Sequence, residues 1–205
     1  MPRLARVAPL VLLLPLLALI LAGCQTTRPG AGHDQPTQPV GPVTSVAIDA
    51  ADGSLLEVAG GLWRSTDQGQ TWGTFPIPAS LHPDKLRQVA TMSSASASIY
   101  AAGPSAGVLR SDDGGKTWRQ ISSGLPSQRV AAFAVHSNLP DTIYAWILGQ
   151  GMFRTENDGQ RWEKMDDGPS GPVVAIAHST LAGSMNTGWL YVATPGGPYL
   201  SMDCF

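Results

Sequence analysis

Three arginines, Arg64, Arg110 and Arg154, recur along this chain at separations of 46 and 44 residues. A guanidinium offers paired N–H donors that fit a carboxylate, so three of them converging would hold an acidic ligand. Recurrence at a fixed period argues otherwise: a residue that repeats with its surroundings belongs first to the scaffold, and that is the expectation for all three. Glycoside hydrolysis would need two carboxyl groups at a set separation, or a Tyr nucleophile with an acidic base. Beyond Cys24 the glutamates are Glu57, Glu156 and Glu163, and Asp49, Asp52, Asp84, Asp141, Asp166 and Asp167 lie in turn-like surroundings. None falls in a pattern that marks a general acid, so no catalytic residue is assigned. His136 and His178 each close a short apolar run and precede Ser, again as repeat equivalents, while His82 precedes Pro83 in a connecting loop. With no His-x-x-x-His spacing and no His–carboxylate pairing, neither a metal site nor a cofactor is expected.

The elements that must position these residues are short. From Val43 onward, apolar runs alternate with clusters of Gly, Ser, Asn and Asp, and no stretch holds helical periodicity for three turns. That pattern predicts an all-β domain. Three segments align, Arg64 to Trp72 (RSTDQGQTW), Arg110 to Trp118 (RSDDGGKTW) and Arg154 to Trp162 (RTENDGQRW). A strand is expected upstream of each, at Leu55 to Ala59, Ile99 to Ala102 and Ile143 to Trp146, followed by a Gly-containing turn and a strand ending in the arginine. A fourth copy starts at Leu190-Tyr191-Val192-Ala193, turns at Pro195-Gly196-Gly197 and reaches Ser201-Met202-Asp203. Phe205 stands where that copy should carry Gly, so the chain is expected to stop inside a repeat.

The pattern Ser-x-Asp-x-Gly-x-Thr-Trp is complete in Ser65, Asp67, Gly69, Thr71 and Trp72 and in Ser111, Asp113, Gly115, Thr117 and Trp118. It is looser in Thr155, Asn157, Gly159 and Trp162, and begun in Ser201 and Asp203. This pattern resembles the Asp box, or bacterial neuraminidase repeat. The resemblance covers Val43 to Phe205 and implies a β-propeller of four-stranded blades, about 3.6 of them at a period of roughly 45 residues. It also implies that the boxes are structural and lie at the blade periphery. Physically the box suits a hairpin turn: Asp accepts backbone N–H groups, Gly takes φ > 0 without steric cost, the Ser or Thr hydroxyl adds a local bond, and Trp packs between blades. Sialidases in that family hold a carboxylate with three arginines, but their Arg-Ile-Pro start motif is absent here, which leaves the scaffold reading in place. The segment Asn138 to Ala145 is similar to the turn and second strand of sortilin-like domains, xyloglucanase-like hydrolases and photosystem II assembly factors, without choosing among their functions.

The first 23 residues read as an export signal: Arg3 and Arg6 precede Val7 to Leu21, fifteen residues without a polar side chain, which is short for a membrane span of ~20 residues. Leu21-Ala22-Gly23-Cys24 resembles the lipobox of bacterial lipoproteins, implying that Cys24 is lipidated and anchors the chain to a membrane. Gln25 after that Cys implies the outer membrane in a Gram-negative host and otherwise the cell surface. Residues 24–42 hold Pro29, Pro36, Pro39 and Pro42 and only Val40 as an aliphatic residue larger than Ala, the composition of a disordered tether. Beyond Cys24 the chain carries eleven basic and fifteen acidic residues with only three scattered Lys, which argues against a nucleic-acid partner. Cys204 is left without a partner for a disulfide. The function expected is a non-enzymatic module that binds a glycan or an envelope protein or assists assembly of a membrane complex; the alternative is a glycoside hydrolase of sialidase or xyloglucanase type.

Overall fold

The structure is a computed structural model, and it describes residues 38–92, 97–166, 168–181 and 188–201. The signal segment, Cys24, most of the tether, and Asp203 of the fourth box lie outside the described residues.

The expected all-β propeller blades are present. Four antiparallel sheets form, each from strands consecutive in sequence. Blade 1 comprises β1 (Ser45–Ile48), β2 (Leu55–Val58), β3 (Leu62–Ser65) and β4 (Gly73–Thr74). Blade 2 comprises β5 (Gln88–Thr91), β6 (Ile99–Gly103), β7 (Gly107–Ser111) and β8 (Arg119–Gln120). Blade 3 comprises β9 (Val130–Val135), β10 (Ile143–Ile147), β11 (Gly151–Thr155) and β12 (Glu163–Met165). The described part of blade 4 holds β13 (Ala175–Ser179), β14 (Trp189–Thr194) and β15 (Gly197–Ser201).

Burial explains which strands read as unbroken apolar runs. β6 (IYAAG) and β10 (IYAWI) are buried along their whole length because a neighbouring blade covers each face. β1 alternates half-buried and exposed residues, covered on one face only. The first strands of successive blades lie side by side, β1 against β5, β5 against β9 and β9 against β13.

The core therefore sits between blades. Leu56 and Val58 pack with Val89, Leu109 and Trp118 between blades 1 and 2. Tyr100 and Val108 pack with Phe133, Phe153 and Trp162 between blades 2 and 3, and Tyr144 and Trp146 with Leu190 and Val192 between blades 3 and 4. The pairing register makes these layers comparable. Ile99 faces Ser111, Ile143 faces Thr155 and Leu190 faces Ser201, so Leu56, Tyr100, Tyr144 and Tyr191 hold one position in the four blades.

Candidate functional site

The Asp boxes form the loops between the third and fourth strands. In the first, Ser65 Oγ donates to Asp67 Oδ1 (2.8 Å) and accepts from the Gly69 N–H (2.8 Å). Asp67 Oδ1 accepts the Thr71 N–H (2.8 Å) and Oδ2 the Thr71 hydroxyl (2.6 Å). The second box repeats this through Ser111, Asp113, Gly115 and Thr117 at 2.7–2.9 Å. The bond thus spans four residues, one full loop, where an Asx-turn would span two. Gly69, Gly115 and Gly159 take φ of 87°, 90° and 75°, the region glycine enters without strain.

The Thr71 hydroxyl and N–H hold the Asp67 carboxyl down at about 2, and the Thr117 N–H and hydroxyl do the same for Asp113. In the third box Thr155 Oγ1 donates to Asn157 Oδ1 (3.0 Å), which accepts the Arg161 N–H (2.9 Å). An amide oxygen replaces one carboxylate oxygen, and the bond to the second is given up along with the threonine. The carboxylates that define the two complete boxes, Asp67 and Asp113, are thus occupied within their own loops. The indole N–H of Trp72 and of Trp118 closes on its own loop at Gly69 O and Gly115 O (3.1 Å each), while that of Trp162 reaches Ile121 O of the preceding blade (2.9 Å).

The three repeat arginines do not converge on a ligand. Arg64 donates to Ser54 Oγ (2.9 Å) and to Gly114 O of the next blade's box (3.1 Å), and pairs with Asp49 (3.2 Å) and Asp52. Arg110, 8% exposed, pairs with Asp112 of its own loop and, across the junction, with Asp141 (2.8 Å) and Asp158 (2.9 Å) of blade 3. Its guanidinium lies 5.4 Å from the Tyr100 ring. Arg119 joins the same cluster through Asp112 (3.0 Å) and Asp158. Arg154 pairs with Glu156 (3.2 Å). Arg64 and Arg110 are clasps between adjacent blades, and Asp49, Asp52, Asp141 and Asp158 are their counter-ions.

A different surface is concave. The first strands of the blades enclose an axial cleft of about 250 Å³ whose lining includes Ser45, Gln88, Thr91, Phe133, Ile176 and His178. No Asp, Glu, Lys or Arg is among its described lining residues. Side chains stitch each first strand to the next. Ser45 Oγ accepts the Val89 N–H (3.1 Å), Thr91 Oγ1 donates to Ile48 O (2.7 Å), Gln88 Oε1 accepts the Phe133 N–H (2.9 Å), and Ser137 Oγ donates to His178 O (2.9 Å).

The two histidines meet at the last stitch, their rings 3.9 Å apart, but they are not the repeat equivalents expected: with Ile143 and Leu190 holding one position, His178 stands where blade 3 carries Val135, one residue before His136. His136 Nδ1 accepts the N–H groups of Asn138 and Leu139 (3.1 Å each), and His178 Nδ1 that of Ser137 (3.0 Å), which fits the strand-end role expected of them. Sequence reasoning missed Ser45, Gln88, Thr91 and Ser137. The available signal was a polar residue in or just after the first strand of each unit, where the repeat is otherwise apolar. Among the described residues no group of three or more His, Cys, Asp or Glu is placed to hold a metal ion.

A family profile described as photosynthesis system II assembly factor YCF48 matches residues 36–198. Among solved structures, the GH74 xyloglucanase from Xanthomonas campestris superposes with a TM-score of 0.61 at 21% identity, over 82% of this chain and 30% of that one. YCF48 from Cyanidioschyzon merolae gives 0.54 at 18%, over 81% and 57%. YCF48 bound to D1 peptide gives 0.52 at 18%, over 78% and 48%. At these identities the likeness is one of fold, and the chain spans less than two thirds of each of these proteins. No curated protein matches it.

Proposed function

The chain belongs to the family of the photosynthesis system II assembly factor YCF48, and from that premise we propose that it is a non-enzymatic binding and assembly module whose axial cleft takes an uncharged peptide segment of an envelope protein. The lining of the cleft carries this reading: hydroxyl, amide and imidazole groups among apolar side chains, with no charged residue described. Such a surface accepts apolar and hydrogen-bonding side chains and gives no counter-ion to a charged one. That a YCF48 has been obtained with a D1 peptide bound supports a peptide as the ligand class. The lipobox-like segment ending in Cys24 supports anchoring of the module at a membrane through lipid, with the Pro-rich stretch as its tether.

The test is to place a photo-crosslinking residue at Thr91 in cells and map the products. Crosslinks joining that position to an uncharged stretch of one envelope protein, abolished by Gln88→Lys with β-type circular dichroism retained, are expected. Crosslinks confined to the outer box loops would refute the cleft.

The hydrolase reading is favoured by the likeness to GH74 enzymes. It requires a pair of carboxyl groups facing the bound sugar, which the described lining of the cleft does not include. Release of reducing ends from xyloglucan by the purified protein would establish it in place of the binding module.

A further inference from the structure

One position on the first strands changes character from blade to blade. It is Ile48 in blade 1, Thr91 in blade 2 and Val135 in blade 3, and in blade 4 it is His178, level with Leu190 of the second strand. Only there, among the described residues, does the position carry a titratable ring, and the ring it meets across the junction is titratable too. His136, 4% exposed, follows β9, and its ring lies 3.9 Å from that of His178 at an angle of 31°. Tyr144 stacks on His178 with ring centres 5.7 Å apart.

Both imidazoles are held through Nδ1 as an acceptor. His136 Nδ1 takes the N–H groups of Asn138 and Leu139, and His178 Nδ1 takes that of Ser137. A neutral ring whose Nδ1 accepts carries its proton on Nε2, so a second proton must go onto Nδ1 itself. There it would turn an acceptor into a donor aimed at backbone donors, and two imidazolium rings this close repel. The closed pair therefore binds fewer protons than the opened one: it is favoured at neutral pH and driven open as the pH falls through the range in which histidine charges. The surrounding elements supply few other ionisable groups. β9 carries none, β10 carries Tyr144, and β14 carries Tyr191 on the face away from His178. The loop after His136 carries Asp141, which Arg110 of blade 2 holds at 2.8 Å, and residues 180–188 contribute none.

We propose that His136 and His178 form an acid-released latch between blades 3 and 4 that governs occupancy of the axial cleft, which rests on the reading of that cleft as a peptide site. His178 belongs to the lining, and Ser137, whose N–H it accepts, also donates its hydroxyl to the His178 carbonyl. Charging the ring breaks the Nδ1 bond to Ser137 and places a cation among lining residues that are otherwise uncharged. Both changes disfavour an uncharged segment: the wall between β9 and β13 loosens, and the segment would have to strip water from a charge.

Hydrogen exchange of the full chain in detergent at pH 7 and pH 5, corrected for the intrinsic pH dependence of exchange, tests the latch. The opening of the Ser137, Asn138 and Leu139 amides should rise at least ~10-fold, the change that uptake of one proton produces over one pH unit, while the amides of β6 keep their protection. The response should vanish in the double variant His136→Asn, His178→Asn, whose amide oxygens can accept the same N–H groups and cannot take up a proton. Equal opening at both pH values in the unaltered protein, which needs no variant to fold, or an acid response that survives in the double variant would overturn the latch. Membranes carrying the photo-crosslinking residue at Thr91 test its hold on the cleft. Crosslinks formed at pH 7 should fade at pH 5 and persist there in the double variant; crosslinks undiminished by acid would overturn the control of the cleft. An absence of crosslinks at pH 7 with the amides still responding would be a failure of the peptide reading, not of the latch.

Discussion

At the scale of the residue, the Asp boxes trade charge for backbone order. Asp67 and Asp113 hold their carboxyls at about 2 in the fold, below the ~3.9 of an unfolded chain. Carboxylates depressed in this way contribute their stability in full above ~4 and lose it as the pH falls from there through about 2. Thermal melts between pH 4 and 2 should therefore fall less steeply for the double variant Asp67→Asn, Asp113→Asn than for the unaltered protein, although the variant melts lower at pH 7; parallel slopes would count against the assignment. The third box shows why asparagine is the informative replacement, since Asn157 keeps the N–H bond and gives up the second oxygen's bond. Arg110 makes a sharper case. Its removal takes the guanidinium from Asp141 and leaves Asp112 and Asp158 to Arg119 alone, so Arg110→Met should cost about 2 kcal/mol in urea titrations, a figure discounted because Asp112 and Asp141 are about half exposed. Half-molar salt should narrow the difference.

At the scale of the element, the sequence made the strands legible and left the ties between them hidden. Ile99 to Gly103 and Ile143 to Ile147 announce themselves by apolar runs at a constant distance from their boxes, and the third box was recognisable through Asn157 and Arg161 because Thr155, Gly159 and Trp162 kept their spacing. Ser45, Gln88 and Thr91 gave no such warning, since a lone polar residue on a strand reads as one facing water until the neighbouring blade is in place. The same gap separates equivalent residues. Trp72 and Trp162 occupy one box position, yet Trp72 is half-buried on its own loop while Trp162 is buried and bonded to Ile121 of the blade before. Trp162→Ala should cost roughly 3–5 kcal/mol, and Trp72→Ala clearly less, by chemical denaturation. Gly159→Ala should likewise exceed Gly69→Ala. Both add a Cβ at positive φ, for about 1 kcal/mol, but at Gly159 it would overlap the Ile121 carbonyl, while at Gly69 its nearest neighbour is 3.7 Å away.

At the scale of the whole molecule, stability is a sum over junctions, because each hydrophobic cluster joins two adjacent blades. Counting repeats could foretell the blades, but which face of each blade is covered is set by neighbours in space. The uncharged lining of the cleft was equally hidden, being assembled from strands some 44 residues apart. Native-state hydrogen exchange should show blades 2 and 3, each covered on both sides, opening last, and blade 1 opening earlier. The stitches between first strands have one more result. A strand bordering an open space ordinarily offers bare N–H and C=O groups that any extended chain can copy onto, the route by which sheets recruit strangers and grow into fibrils. Here Ser45, Thr91, Gln88 and Ser137 have already claimed the N–H groups of Val89 and Phe133 and the carbonyls of Ile48 and His178. At those positions an occupant of the cleft cannot be held by strand templating and must be read through its side chains, so the device that makes the interior selective also keeps it from seeding aggregation.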